Sequence, residues 1–466
     1  MKRILLLIFL LSSGSVFSQD MLGVSNSNFA GTSGTSMNPT SIMLTPSGWE
    51  FSLLTLDLSV ENNFVGMPKS RIMKAGEQSG QANDKGGLVA YRGSSDKAAN
   101  AHVMVKIPAI MLKYNDMAFA FHMAVRSDLG VHNVDSKLAG LAYDGMKDPL
   151  MSGTMIKGDG LRAGGLVWIE SALTVAKQLS RSESRKWLAG ASLKYLTPLA
   201  GAYAGISDAD YTYINDTTMS LSSVKGRLAY SYIENGRDAF KLRCSGIGTD
   251  VGVSYISNPF TQKYSNGKPI AMKKYDYRVG VSLIDFGFVY FTRNAHSFKF
   301  KTPSVDLNGS QNTQANGAAQ LDNAISDAVM NGIGPNRTFI MSLPTSLSVQ
   351  YDRCLHPRWY LNLTAIQRVP MPMMRVDRAN SLSATIRYET PFFEVAFPYS
   401  FYDYYRHRIG VAMRFHGFFI GSDKLGTFVG NGDITGADFY LGLKVNSFDF
   451  RRKPRAGHHV GCPAYN

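Results

Sequence analysis

The sequence is short of nearly everything from which catalytic and metal sites are usually built. Its 466 residues include only 3 cysteines and 9 histidines. No CxxC pair and no metal-ligand spacing occurs, which argues against a zinc site. His458 and His459 are adjacent in a tail rather than spaced on a helix, so they do not match a zinc-binding pair. No GxSxG, HExxH or P-loop pattern is present. The expectation is a protein that is not an enzyme and carries no cofactor. Long apolar runs are missing as well. After the first residues no stretch reaches the roughly eighteen apolar positions that a membrane-crossing helix needs. Charge is sparse too, at 18% of residues, though it is unbalanced towards +14.

What is present begins with an export signal. Lys2 and Arg3 precede an apolar Ile4 to Leu11, and Val16-Phe17-Ser18 offers a small-residue cleavage site. Residues 1–18 therefore read as a signal peptide. Residues 19–49 form a Ser-, Gly-, Asn- and Thr-rich leader, residues 50–450 a β-rich body and residues 451–466 a basic tail. Export and the scatter of Lys and Arg argue against a nucleic-acid partner. The basic balance suits anionic lipid headgroups and lipopolysaccharide phosphates instead.

The body alternates. Ala437, Phe439, Leu441, Leu443 and Val445 oppose Asp438, Tyr440, Gly442, Lys444 and Asn446, and Ile409, Val411, Met413 and Phe415 oppose Arg408, Gly410, Ala412, Arg414 and His416. Side chains alternate faces along a strand, so each run has one apolar and one polar face. A soluble sandwich would turn the apolar face inward, whereas a membrane barrel turns it to lipid. Loop lengths favour the barrel. Short and long connections roughly alternate, as in barrels with short periplasmic turns and long external loops. The pattern predicts an all-β fold: an antiparallel transmembrane β-barrel of about sixteen strands, both termini in the periplasm.

Within this frame Gly201 to Leu221 reads as a loop, and Asp285-Phe286-Gly287 as a tight reversal. Short helices are expected near Val134, Leu138 and Leu141, capped by Asp135 or Ser136, and near Leu321, Ile325 and Val329. The aromatic run FPYSFYDYY, 397–405, suits a membrane-interface girdle. Met371, Met373 and Met374 are candidates for an adaptable ligand-entry loop, because methionine fits irregular apolar shapes; packing on the barrel rim is the plainer role. Cys244, Cys354 and Cys462 fall in turns or the tail on the periplasmic side. A Cys354–Cys462 bridge, a Cys244–Cys462 bridge and three separate thiols are all compatible with that placement.

Several segments carry a family resemblance. MNPTSI, 37–42, resembles the N-terminal Asn-Pro-Ala signature of the long-chain fatty acid transporter superfamily of outer-membrane barrels, with Thr40 in place of Ala. GTDVGVSYI, YRVGVSLIDFGFVYF, LPTSLSVQYD, RYETPFFEVAFPYSFYDYYRHRIGVAMRFHGFFIGSD and GADFYLGLKV, in that order, resemble an uncharacterised Bacteroidota-type outer-membrane family catalogued as a domain of unknown function. The resemblance implies about fourteen strands, so the count of sixteen would then include a strand split at Gly417 or one added around Val224. It also marks Asn38 and Pro39 as candidate anchors of the leader.

Two functions from different classes follow. In the first, the leader plugs the lumen of a transporter-like barrel for small hydrophobic or amphipathic compounds. In the second, the barrel does not transport, and its loops or tail dock a secretion or surface-assembly protein. An outer-membrane enzyme is a third. The lumen discriminates: transport needs an apolar pocket inside, whereas a scaffold can fill its interior with charge.

Overall fold

The computed structural model describes residues 20–447 apart from 70–87, 145–152, 154, 159, 183, 216–217, 232–244, 260–263, 266–267, 270–273, 309–335 and 426–432. The strands that build the wall are β1 (Trp49–Asn62), β2 (Lys97–Tyr114), β3 (Met117–Val134), β4 (Arg162–Arg181), β5 (Arg185–Asn215), β6 (Thr218–Ser231), β7 (Ser245–Ser257), β8 (Tyr277–Phe291) and β9 (Ala295–Asn308). They continue with β10 (Phe339–Ser342), β11 (Ser346–His356), β12 (Trp359–Arg368), β13 (Ser381–Glu389), β14 (Phe393–Tyr402), β15 (Arg406–Ile409), β16 (Val411–Phe415), β17 (Phe418–Ser422) and β18 (Gly436–Asn446).

Antiparallel pairing runs around the ring from β1 through β5, then β7, β8, β11 to β14, β15 with β16, β17 and β18, and closes from β18 back to β1. The ring is a closed 14-strand barrel. The expectation of about sixteen counted one real strand outside this ring, around Val224, and split β8 into two at Asp285-Phe286-Gly287. From Gly201, β5 takes β6 as its partner on the side that β7 occupies lower down, while keeping β4 on the other side as far as Gly205, and β6 pairs with β9. These strands make an extension above the rim, so Gly201 to Leu221 is not a loop. Gly417, by contrast, is in a genuine turn between β16 and β17.

The alternation has the sense of a membrane barrel. Ile409 is 60% exposed and Phe415 63% exposed, while Arg408, Arg414, Asp438 and Lys444 are buried inside. An apolar outer face around a closed ring with no free ladder edge is what a lipid environment demands. Aromatics cluster near both rims. Trp187, Tyr255, Tyr277 and Tyr351 form a contiguous belt at the short-turn end, and Tyr399 and Tyr404 are exposed at the other.

β1 starts and β18 ends at the short-turn end, where β2 meets β3 and β11 meets β12, whereas the first described residue, Asp20, lies inside the lumen beside Arg378 and the Asp423 region of the long-loop connections. The segregation of loop lengths has two exceptions. The β7–β8 connection, at the short-turn end, is long, and the β14–β15 turn, at the long-loop end, is short. The first expected helix is present as α3 (Ser136–Asp144), whose Lys137 and Leu138 amides donate to the Asp135 carboxylate at 2.8 and 3.2 Å. The second lies outside the described residues. The expected reversal at Asp285 is instead an irregularity within the continuous strand β8. Asp285 has φ +55, and Ile284 and Asp285 both face inward. One extra residue there inverts the parity of the strand, the effect of a β-bulge.

Candidate functional site

The interior is occupied by the leader. From Asp20 to Met43 nearly every residue is buried, in two single-turn helices, α1 (Leu22–Ser25) and α2 (Ser41–Leu44), and a 3-10 segment, Gly31–Ser36. Elements this short leave most of their carbonyls unpaired, and a buried carbonyl needs a donor. Cationic side chains of the wall supply it. Lys444 donates to the carbonyls of Phe29 (2.7 Å) and Ala30 (2.9 Å). Lys106 reaches that of Thr32, Arg278 that of Asn26 and Lys113 that of Met43. The Met37 carbonyl takes Ser282 at 2.5 Å and Gln350 at 3.1 Å.

Carboxylates of the wall serve the leader's donors in turn. Glu50 accepts from the Thr32 amide and hydroxyl at 2.9 and 2.7 Å and pairs with Lys444 at 3.1 Å. Glu389 takes both the amide and the side chain of Asn28 at 2.9 Å, and Glu394 takes Ser27 at 2.7 Å. At the leader's start Asp20 pairs with Arg378, and the Leu22 amide donates to Asp423 at 2.9 Å.

Asn38 and Pro39 sit at the centre of this seat. The Asn38 amide nitrogen donates to Gln350 at 3.1 Å, and its oxygen accepts the Thr40 amide (3.0 Å) and hydroxyl (2.8 Å). Thr40, at the place of the expected Ala, also bonds Ser254 at 2.6 Å. Three wall glycines make room. A Cβ on Gly252 would stand 2.5 Å from the Asn38 oxygen, one on Gly280 3.0 Å from its nitrogen, and one on Gly190 3.0 Å from the Pro39 carbonyl carbon.

Around the leader the lumen carries charge networks that the sequence reading did not foresee. Asp285 binds Arg126 in a fork, 2.8 Å on each oxygen, and Lys194 at 2.6 Å. Lys194 also pairs with Asp250 at 2.7 Å, and Arg126 with Glu170 at 3.1 Å. Asp352 joins Arg278 (3.1 Å) and Arg387 (2.6 Å), and Glu61 joins Arg408 (2.8 Å) and Lys424 (2.7 Å). Asp352, Glu389 and Arg387 occupy the polar parity of their strands, so alternation could have shown them. Asp285 could not be found that way, because the bulge inverts its parity.

Two apolar layers bound this polar middle. At the short-turn end Ile42 and Met43 pack with Met111, Leu188, Ile256 and Tyr360. Cys354 belongs to this layer; it is on β11 with its side chain buried, not in a turn. Cys244 and Cys462 lie outside the described residues. At the long-loop end Leu166, Trp168, Phe291, Phe339, Met341 and Leu343 form a second cluster. The candidate methionines divide here. Met374 pairs in parallel register with Met341 and packs on this cluster. Met371 and Met373 are half-buried outside it, and the Met371 carbonyl accepts from Arg375 at 2.6 Å. The same connection then turns into the lumen, burying Val376 to Asn380. Among the described residues no group of His, Cys, Asp and Glu could hold a metal ion.

Among solved structures, the chain is similar to a deletion mutant of the TodX monoaromatic hydrocarbon channel (9% identity, 89% of this chain and 93% of that one, TM-score 0.41). It is also similar to the toluene transporter TodX of Pseudomonas putida (9%, 92% and 98%, 0.33) and to a FadL homologue of Pseudomonas aeruginosa (10%, 93% and 98%, 0.30). No curated protein matches the sequence. A family model matches residues 44–423, and the chain accordingly belongs to the family of unknown function DUF5723.

Proposed function

We propose that this barrel is a plugged, transporter-like protein of the bacterial outer membrane that admits small hydrophobic or amphipathic compounds from its long-loop end. The observation that carries the reading is the apolar cluster of Trp168, Phe291, Phe339 and Met341. Barrel lumens are ordinarily polar, so buried aromatic surface facing inward at the mouth is where an apolar solute would partition. Below it the leader is fastened by hydrogen bonds and ion pairs, contacts that water can replace one by one. Its apolar side chains Met21, Val24, Ile42 and Met43 also pack on the wall, so release of a solute calls for a local shift of the leader rather than its full withdrawal.

The lumenal charge networks centred on Asp285, Asp352 and Glu61 favour a second reading, a closed scaffold that transports nothing. Proteoliposomes carrying the full mature chain separate the two. The transporter reading expects uptake of a small aromatic hydrocarbon or a medium-chain fatty acid above protein-free vesicles, with faster uptake for Asn38→Ala, which loosens the leader. No uptake by either form, with both barrels still migrating as folded in unboiled gels, would leave the scaffold.

A further inference from the structure

The extension carries its bases inward. Lys225 and Arg227 have the strand parity of Ala229, and Lys299 and Lys301 that of Ala295. Both alanines pack in the apolar cluster at the long-loop end, so the four cations project from the same inner face. Lys225 stands opposite Lys301, and Arg227 opposite Lys299. The second of these pairs continues into the ring. Arg227 is opposite Gly205 on β5, and Gly205 is opposite Arg162 on β4. Arg162 in turn shares parity with Leu166 and Trp168 of the same cluster.

Four adjacent strands therefore bring Arg162, Gly205, Arg227 and Lys299 into one inward-facing row, with about 4.8 Å from strand to strand. Gly205 leaves a notch in it, and the Tyr203 hydroxyl lies over the notch: a Cβ on Gly205 would stand 2.5 Å from that oxygen. The two arginines that flank the notch are rooted about 10 Å apart, within reach of one anion held between them. Neither is fully paired. Arg162 has a side chain 35% exposed and meets Asp377 only at 3.3 Å through Nε, and Arg368 and Arg375 share that same carboxylate. Arg227 and Lys299 are exposed and form no ion pair among the described residues. One acidic position, Asp208, is in register with Lys225 in the next row.

The row borders apolar surface. Tyr203 and Met374 are half-buried and pack on the cluster, whose Trp168, Phe291 and Phe339 are fully covered. A charged head seated in the notch thus has an apolar shelf beside it. Phe291 comes up against Gly201, four residues from Gly205 or about 13 Å of strand, which bounds the length of a solute lying on both.

We propose that Arg162, Tyr203, Arg227 and Lys299 bind the carboxylate of a small aromatic acid whose ring lies on Tyr203 and Met374. Guanidinium forks match two carboxylate oxygens, the phenol donates one further bond, and a ring gains from contact with an aromatic face and a thioether. The inference rests on the transporter reading only in making this acid the solute admitted; the binding itself is measured separately.

The test uses the full mature barrel in neutral detergent at about pH 7.5, where a carboxylic acid is ionised. It is titrated with phenylpropionate, with phenylpropionamide as the uncharged analogue and with acetate as the head alone. At about 0.1 M salt phenylpropionate should bind at least about tenfold tighter than either, and its advantage over the amide should shrink near 1 M salt, where the screening length is about 3 Å. Arg227→Gln combined with Lys299→Gln, at exposed positions that strand no partner, should cut the preference over the amide at least about fivefold. Arg162→Gln should do the same. Arg185→Gln, which removes an exposed cation at the short-turn end, should leave the preference unchanged. Unboiled gels verify that each variant is folded. Equal affinity for acid and amide, acetate binding as tightly as phenylpropionate, an unchanged preference in the Arg227 and Lys299 double variant, or an equal loss in Arg185→Gln would each overturn the proposal. In proteoliposomes, binding of the acid without uptake of it or of an aromatic hydrocarbon would set aside the transporter reading and leave the site standing. Uptake of the hydrocarbon by a barrel that binds acid and amide equally would do the reverse.

Discussion

Gly252→Ala tests the seat of the leader with the smallest available change. The added methyl would stand 2.5 Å from the Asn38 side-chain oxygen, 3.1 Å from its Cγ and 3.0 Å from the Ser282 Cβ. Real Cβ atoms do not approach so closely, and neither neighbour is the loose end of a flexible chain. Asn38 must move by about 1 Å for ordinary contact. Its bonds to Gln350 and to the Thr40 amide and hydroxyl, at 3.1, 3.0 and 2.8 Å, are then broken or bent. At about 1 kcal/mol net for each, with a further cost if a buried group is left without a partner, the seat weakens by about 2 to 4 kcal/mol. That corresponds to a roughly 30- to 1000-fold shift towards the displaced leader. A cysteine at Ser33, a fully buried leader position, reports the displacement through its rate of maleimide labelling, in a chain whose three native cysteines are replaced. The rate should rise by that factor in Gly252→Ala. It should stay unchanged in Gly140→Ala, where nothing lies within 4 Å of the added carbon. An unchanged rate in Gly252→Ala, with the barrel folded by unboiled gel, would refute the seat as described.

Two further outcomes follow from the same contacts. Asp285→Asn keeps a residue type that tolerates φ +55 but leaves Arg126 and Lys194 short of their shared carboxylate; it should cost about 3 to 5 kcal/mol, read as a lowered urea midpoint of the gel shift. Asp285→Ala should cost about 1 kcal/mol more, because alanine resists the left-handed conformation, and equal midpoints for the two would count against that backbone argument. Asp423, in the β17–β18 connection, has its carboxyl pushed up to about 7, by burial first and by the nearby Asp438 carboxylate second. A raised carboxyl favours the protonated form in the folded state, so the stability it contributes is present at low pH and is lost as pH climbs through about 7. The seated leader adds burial and the Asp20 charge, both of which raise Asp423 and outweigh the opposing effect of the bonds it accepts from the Leu22 amide and the Tyr440 hydroxyl at 2.9 Å, so the leader's start should be held more firmly at pH 6 than at pH 8. Labelling of Ser25→Cys should therefore quicken across that range and become flat in Asp423→Asn; a flat profile in the parent would refute the assignment.

Period-two alternation was enough to assign most of the wall, because in a barrel the same residue pattern must repeat along every strand. The sequence by itself determined that Ile409, Met413 and Phe415 share one face with Arg408 and Arg414 on the other, and that α3 starts at a cap supplied by Asp135 or Ser136, between which the structure selects Asp135. The spacing of the polar positions could also have put Asp352, Arg387 and Glu389 on one side of their strands. It could not determine which side was the lumen, since a sandwich and a barrel write the same alternation; closure of β18 on β1 decides that. Nor could it separate ring strands from the extension, because β6 and β9 have the same local pattern and differ only in what lies beside them. The bulge at Asp285 was invisible for a related reason. A residue that inverts parity looks like a turn until the neighbouring strand shows the ladder continuing past it. Asn38 and Pro39 stood out in the sequence. What they contact did not, because Gly190, Gly252, Gly280 and Gln350 come from four different strands, and only the closed ring brings them to one point.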